Sequence, residues 1–375
     1  MKHTLLLKLM GFSEKEIIFF RAGYTGDTAT LDKLKDSPHI SSYCMGTAAA
    51  GNKELVLQCL DKGANPNRGL MGAAMGGHMD IVQLMLDKGT TDYDEGLRGA
   101  AMGGHMEIVQ LMLSKGANLD KGLRGAARGG HMDIVRLLLS KGANPDKGLW
   151  DAAQGGHMEI VQLLLSKGAT DYNDGLWGAA RGGHMDIVRL LLSKGANPDK
   201  GLRGAAQGGH MEIVQLMLSK GATDYDWVLW VAAYGGHMDI VKLLLSKGAN
   251  PDKGLDVTAL GGHMDIVQLM LSKGATAYND GLWGAAMGGH MDIAKLLLEK
   301  GADPNAGLCS AVQGGNMDMV ELLLAHPCVD VNMEDEEGYT PLDYAEENGH
   351  TECADLLRAA GAELHKGATA YNEGL

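Results

Sequence analysis

The sequence contains no apolar run near the roughly 20 residues that a bilayer-spanning helix needs. Its start, MKHTLLLKLMGFSEKE, is broken by Lys8 and has no small-residue cleavage site, which predicts the absence of a secretory signal. Positive charge is in deficit. Against 47 Asp and Glu there are 33 Lys and Arg, for a formal net charge of −14 and a pI near 5.4. That balance argues against a main task of gripping phosphate backbones or an anionic membrane. Cysteine is sparse: Cys44, Cys59, Cys309, Cys328 and Cys353 lie far apart and at no metal-ligand spacing. The spacing argues against structural zinc and against a disulfide framework, and points to a reducing compartment. No Ser-His-Asp, Cys-His or paired-carboxylate set stands apart from the rest. The expectation is a soluble cytoplasmic protein that is not an enzyme, with no cofactor and no metal.

Glycine, by contrast, is abundant at 55 residues, and it is periodic. Residues 122–147 read GLRGAARGGHMDIVRLLLSKGANPDK, and nearly the whole chain repeats this stretch. Gly-Gly-His-Met recurs with its histidine at 78, 105, 131, 157, 184, 210, 237, 263 and 290, in steps of 26 or 27 residues. A fixed period of this size predicts a solenoid of stacked supersecondary units. Each unit reads as two short helices. The first covers Leu-x-Gly-Ala-Ala-x and ends at Gly-Gly; the second runs from Met132 to Lys141 in the reference copy, with Asp133 and Lys141 placed to suit its dipole. A second step of 53 residues relates Arg136, Arg189, Lys242 and Lys295, and likewise Tyr172, Tyr225 and Tyr278. It predicts an acidic Tyr-Asp ladder at every second loop.

LRGAARGGHMDIVRLLLSKGA resembles the ankyrin pattern TPLHxAAxxGHxEIVxLLLxxGA in order and spacing, and DVNMEDEEGYTPLDYAEENGHTECADLLRAAGA resembles a full-length ankyrin repeat. The likeness covers about residues 41–362. It implies an all-α, right-handed α-solenoid of about a dozen helix pairs, and a structural role for the histidine. The short units lack the six or seven residues with which the family builds its β-hairpin finger. At most one finger is expected, near Met333–Tyr339. The expected organisation is diverged capping helices at 1–40, short repeats at 41–325, a full-length capping repeat at 326–365 and a tail at 366–375.

Because the repeats align with one another, the positions left free are visible. The residue after the first-helix Leu and the one four further on vary while their surroundings stay constant, and a spacing of four puts them on one face. The candidate partner-binding residues are Arg98, Arg124, Arg128, Trp150, Trp177, Arg181, Arg203, Trp230, Tyr234 and Trp283. Such side chains are enriched at interface centres. By resemblance, the first helix lines a concave groove, and these pairs would form a continuous stripe along it. The tryptophans would anchor a partner protein segment, and the arginines would hold acidic or phosphorylated groups on it. The alternatives are base stacking on the same stripe, against which the net charge weighs, and a purely structural or self-assembling protein. Ankyrin-rich chains with recently copied repeats resemble those of amoebae, their giant viruses and intracellular bacteria, which implies an effector acting in a host cell.

Overall fold

The computed structural model describes residues 13–34, 37, 39–335 and 338–364. The tail at 366–375 and residues 1–12 of the expected N-terminal cap lie outside them. Among the described residues every regular element is a helix, and the helices follow one another in pairs. The chain falls into two compact units, Met1–Gly201 and Leu202–Leu375.

In the first unit the pairs include Pro66–Gly76 with Met79–Asp87, Tyr93–Gly103 with Met106–Ser114, Leu119–Gly129 with Met132–Ser140, Asp146–Gly155 with Met158–Ser166, and Tyr172–Gly182 with Met185–Ser193. Successive first helices from Pro66–Gly76 to Tyr172–Gly182 pack side by side. In the second unit Tyr225–Tyr234, Leu255–Leu260, Tyr278–Gly288, Asn305–Gln313 and Pro341–Glu347 are the first helices and pack in the same order.

The second helices supply the core. In Met132–Ser140, Ile134, Val135 and Leu138 are buried, each contributing roughly 1.5–3 kcal/mol of transfer free energy. The first helices are set by what they omit. A Cβ built on Gly125 would lie 2.4 Å from the Arg98 carbonyl oxygen of the preceding unit. Glycine is needed there for close approach of two helix backbones, and this offsets its poor helix propensity.

The first helices begin earlier than the Leu-x-Gly-Ala-Ala pattern suggests. Leu119–Gly129 starts in the connecting segment, where the Asn118 side chain caps it by accepting from the Asp120 N–H at 2.9 Å. The segment that would form a finger is short enough to become the helix's first turn. Its carboxylates then turn onto the next loop. Asp120 Oδ1 accepts from the Asn144 N–H (2.8 Å), and Asp146 Oδ1 accepts from the N–H groups of Thr170 (2.6 Å) and Asp171 (3.0 Å). These hydrogen bonds tie successive loops together, while Tyr172, Tyr225 and Tyr278 keep to every second loop. In the second unit Asp226 and Asp252 do the same for Asn250 and Thr276.

Two departures mark the ends. Glu14–Thr25 opens with a capping box, in which Ser13 and Glu16 each satisfy the other's backbone N–H. This helix buries Ile17 and Phe20 with Met45, Ala49, Met71 and Met75. Met71 and Met75 occupy the variable positions, so that end of the expected open stripe is covered. Near Met333–Tyr339 the described residues form a turn rather than strands. The Asp335 N–H donates to the Tyr339 carbonyl and the Tyr339 N–H to the Asp335 carboxylate, both at 3.0 Å. Thr340 and Asp343 then cap Pro341–Glu347 with a second capping box.

Candidate partner-binding face of the first helices

The repeated histidine belongs to the scaffold. His131 Nε2 lies 3.0 Å from the Met102 carbonyl oxygen, His157 Nε2 3.0 Å from that of Arg128, and His290 Nε2 3.0 Å from that of Leu260. Those carbonyls sit at first-helix C-termini, where no intrahelical N–H remains for them. With Nε2 as the donor, each ring closes the exposed end of the helix one unit earlier. Asn316 does the same through Nδ2, 2.9 Å from the Ala286 oxygen and 3.2 Å from that of Met287. The glycine before the histidine serves two ends. Gly130 has φ 79°, and a Cβ on it would fall 2.5 Å from the His157 ring. Among the described residues no cluster of three His, Cys, Asp or Glu side chains could hold a metal ion. The Cys309 thiol is pushed up to about 11 by burial and by Asp335, so it carries no thiolate near neutrality.

In the first unit the variable positions interlock with one another. Arg98 Nη1 lies 3.4 Å from Glu95 Oε2. Arg124 Nε is 3.0 Å from Asp151 Oδ2, and Arg128 Nε is 2.8 Å from Asp151 Oδ1. Arg128 also donates through Nη2 to Gln154 Oε1 at 2.7 Å, and its Cζ stands 4.6 Å from the centroid of the Trp150 ring. The Trp150 and Trp177 rings stack at 5.6 Å, and Arg181 lies over Trp177 at 5.7 Å. The order along these helices is therefore arginine, tryptophan, tryptophan, arginine.

This corrects the reading of Arg128 as an open charge for a partner. It is only 5% exposed, and Gln154 is 4% exposed. Burial pulls the Arg128 guanidinium below its ordinary pKa, and Asp151 opposes that pull. Arg124, Arg98 and, in the second unit, Arg203 are likewise held by carboxylates of the same chain. Asp151 escaped notice because it stands in a slot that holds glycine in most copies. The signal was the replacement of Gly-Ala-Ala by LWDAAQ at 149–154.

In the second unit the aromatic side chains come to the surface. Trp227, Trp230 and Tyr234 stack along Tyr225–Tyr234 with centroid separations of 5.2 and 6.1 Å and interplanar angles of 8° and 9°. Trp227 is 47% exposed, Tyr234 56% and Trp283 42%. Arg203 reaches the Asp224 carboxylate at 2.6 Å and lies over Trp227 at 5.8 Å. Trp227 was missed because it falls outside the variable pairs. Its signal was Trp-Val in place of the charged residue and glycine that precede the first-helix Leu in most other copies.

Stacked helix pairs with a buried second-helix core define a helical repeat protein of the α-solenoid class. A family model for ankyrin repeats in three copies matches residues 70–148, 99–175, 123–201, 176–255 and 282–367. The chain belongs to the ankyrin repeat family. No curated protein matches it. Ankyrin repeats are generally protein–protein interaction modules, and the family is typically non-enzymatic. Among the described residues no helix is long and apolar enough to cross a membrane.

Proposed function

We propose that the chain is a non-enzymatic scaffold or adaptor whose first-helix face receives a segment of a partner protein. The observation that carries this reading is the exposure of Trp227, Tyr234 and Trp283 on a face that near-identical repeats leave free to vary. Large exposed aromatic surface is costly in water unless something covers it. The scaffold positions around it (histidine, glycines, leucines) are spent on holding the stack together. Trp230 and Trp283 act as anchors in the second unit. In the first unit Trp177 and Arg181 offer the partly exposed end of the arginine–tryptophan series. The site of action is the cytoplasm, and the partner is a host protein; this part rests on the family likeness and on cysteine usage.

The test is co-purification from cell lysate by wild type and by the Trp230→Ala/Trp283→Ala variant, with circular dichroism confirming that both are folded. Loss of captured proteins by the variant supports the reading. An unchanged set of captured proteins would overturn it.

A further inference from the structure

Two first helices of this chain form an internal comparison. Tyr172–Gly182 reads YNDGLWGAARG and Tyr278–Gly288 reads YNDGLWGAAMG, a difference of one residue, Arg181 against Met287. In the first, the chain itself places Arg181 over the Trp177 indole at 5.7 Å. In the second, the equivalent indole, Trp283, stands 42% exposed with Met287 in the arginine's place. The neighbouring unit differs as well. The residue before Trp177 in the stripe is Trp150, stacked on it at 5.6 Å. The one before Trp283 is Asp256, half-buried and without an ion pair among the described residues. The two helices touch here: a Cβ on Gly284 would lie 2.1 Å from the Asp256 carbonyl oxygen. One site therefore has its cation built in, and the other offers a part-exposed indole with Asp256 in the equivalent position on the preceding first helix.

We propose that the Asp256–Trp283–Met287 patch binds an arginine side chain of a basic segment in the partner protein. The guanidinium takes over Trp283 the place that Arg181 takes over Trp177, and Asp256 supplies the counter-charge. This deepens the interaction reading above and rests on it. The sign follows from what the chain has already neutralised. Arg98, Arg124, Arg128 and Arg203 are paired with carboxylates of their own unit, and the chain carries a net −14. A cation over an indole is favourable, more so when a carboxylate stands beside it. The exposed Trp227 and Tyr234 rings lie on the helix that packs against the Asp256 helix, extending the apolar surface for the rest of the segment.

The test is fluorescence anisotropy of a labelled oligo-arginine peptide with the full chain, its Met287→Arg, Asp256→Asn and Trp283→Ala variants, and Glu107→Gln as a charge-matched control on an exposed second-helix position. Met287→Arg recreates a helix sequence that the same chain already folds, so it closes the site without threatening the fold. The expected result is binding by wild type, weakened about tenfold by each of the three patch substitutions and less than twofold by Glu107→Gln. Equal affinity of wild type and Met287→Arg, an equal loss in Glu107→Gln, or no binding would each overturn the assignment. So would preferential binding of an oligo-glutamate peptide or a single-stranded oligonucleotide. Oligo-glutamate binding that is lost in Trp283→Ala would refute the cation while leaving the interaction face intact. Failure of that face itself would appear instead as unchanged partner capture by Trp230→Ala/Trp283→Ala.

Discussion

Arg128 and Asp151 show how one substitution in a repeat becomes private to its neighbourhood. In most copies glycine lets adjacent first helices touch. At 151 the carboxylate enters that space and is met by two arginines, Arg124 and Arg128, from the preceding unit. Removing one member of a buried pair leaves an uncompensated charge and costs about 3–5 kcal/mol. Asp151→Gly restores the consensus, yet it should lower stability by that order in urea denaturation, because Arg128 is left buried. Adding Arg128→Gln, the residue of the sister copy at Gln207, should recover most of the loss, which a double-mutant cycle would read as coupling. The histidines allow a milder test. His131→Asn should cost under about 1 kcal/mol, since Asn316 already makes the equivalent bond, while His131→Ala leaves the Met102 carbonyl unmatched at about 1–3 kcal/mol.

At the scale of the element, sequence periodicity located nearly every helix but not its start. Gly-Ala-Ala and Gly-Gly-His are strong signals because they report helix–helix contact and helix ends. The first turn carries a weaker one, a capping Asn and a Pro or Asp drawn from what reads as loop. Burial at the variable positions was not legible either. It depends on what lies across from each, as Ile17 and Phe20 lie against Met71 and Met75. Glycines that look alike in sequence should separate in experiment. Gly125→Ala drives a methyl into the Arg98 backbone and should cost about 1–3 kcal/mol through repacking. Gly142→Ala meets nothing within 4 Å, so its cost of about 1–2 kcal/mol is that of a non-glycine residue at φ 96°. The helix Glu14–Thr25 should be acid-sensitive. The Ser13 backbone N–H holds the Glu16 carboxylate below the ordinary value of 4.5. A lowered folded pKa contributes stability above 4.5 that is lost as pH falls through the lower value. Amide exchange across residues 14–25 should therefore accelerate, relative to Met132–Ser140, between pH 5 and pH 3.

For the whole molecule, the repeat family and the helix-pair architecture were legible because 26- and 27-residue copies constrain every scaffold position in the same way. The candidate face was legible only in part. Variation at fixed spacing singled out the first helices, but it could not separate side chains that bind one another from those left open. Arg128 and Gln154 belong to the first kind, and Trp283, Tyr234 and the overlooked Trp227 to the second. The most direct measurement is site-specific photo-cross-linking to the captured partner. A photoreactive phenylalanine would replace Trp283 on the first-helix face or, for comparison, Gln268 on the exposed side of Met264–Ser272. Cross-linking from position 283 with none from 268 is the expected result. Equal cross-linking from both, or cross-linking from 268 alone, would contradict placement of the partner on the first helices.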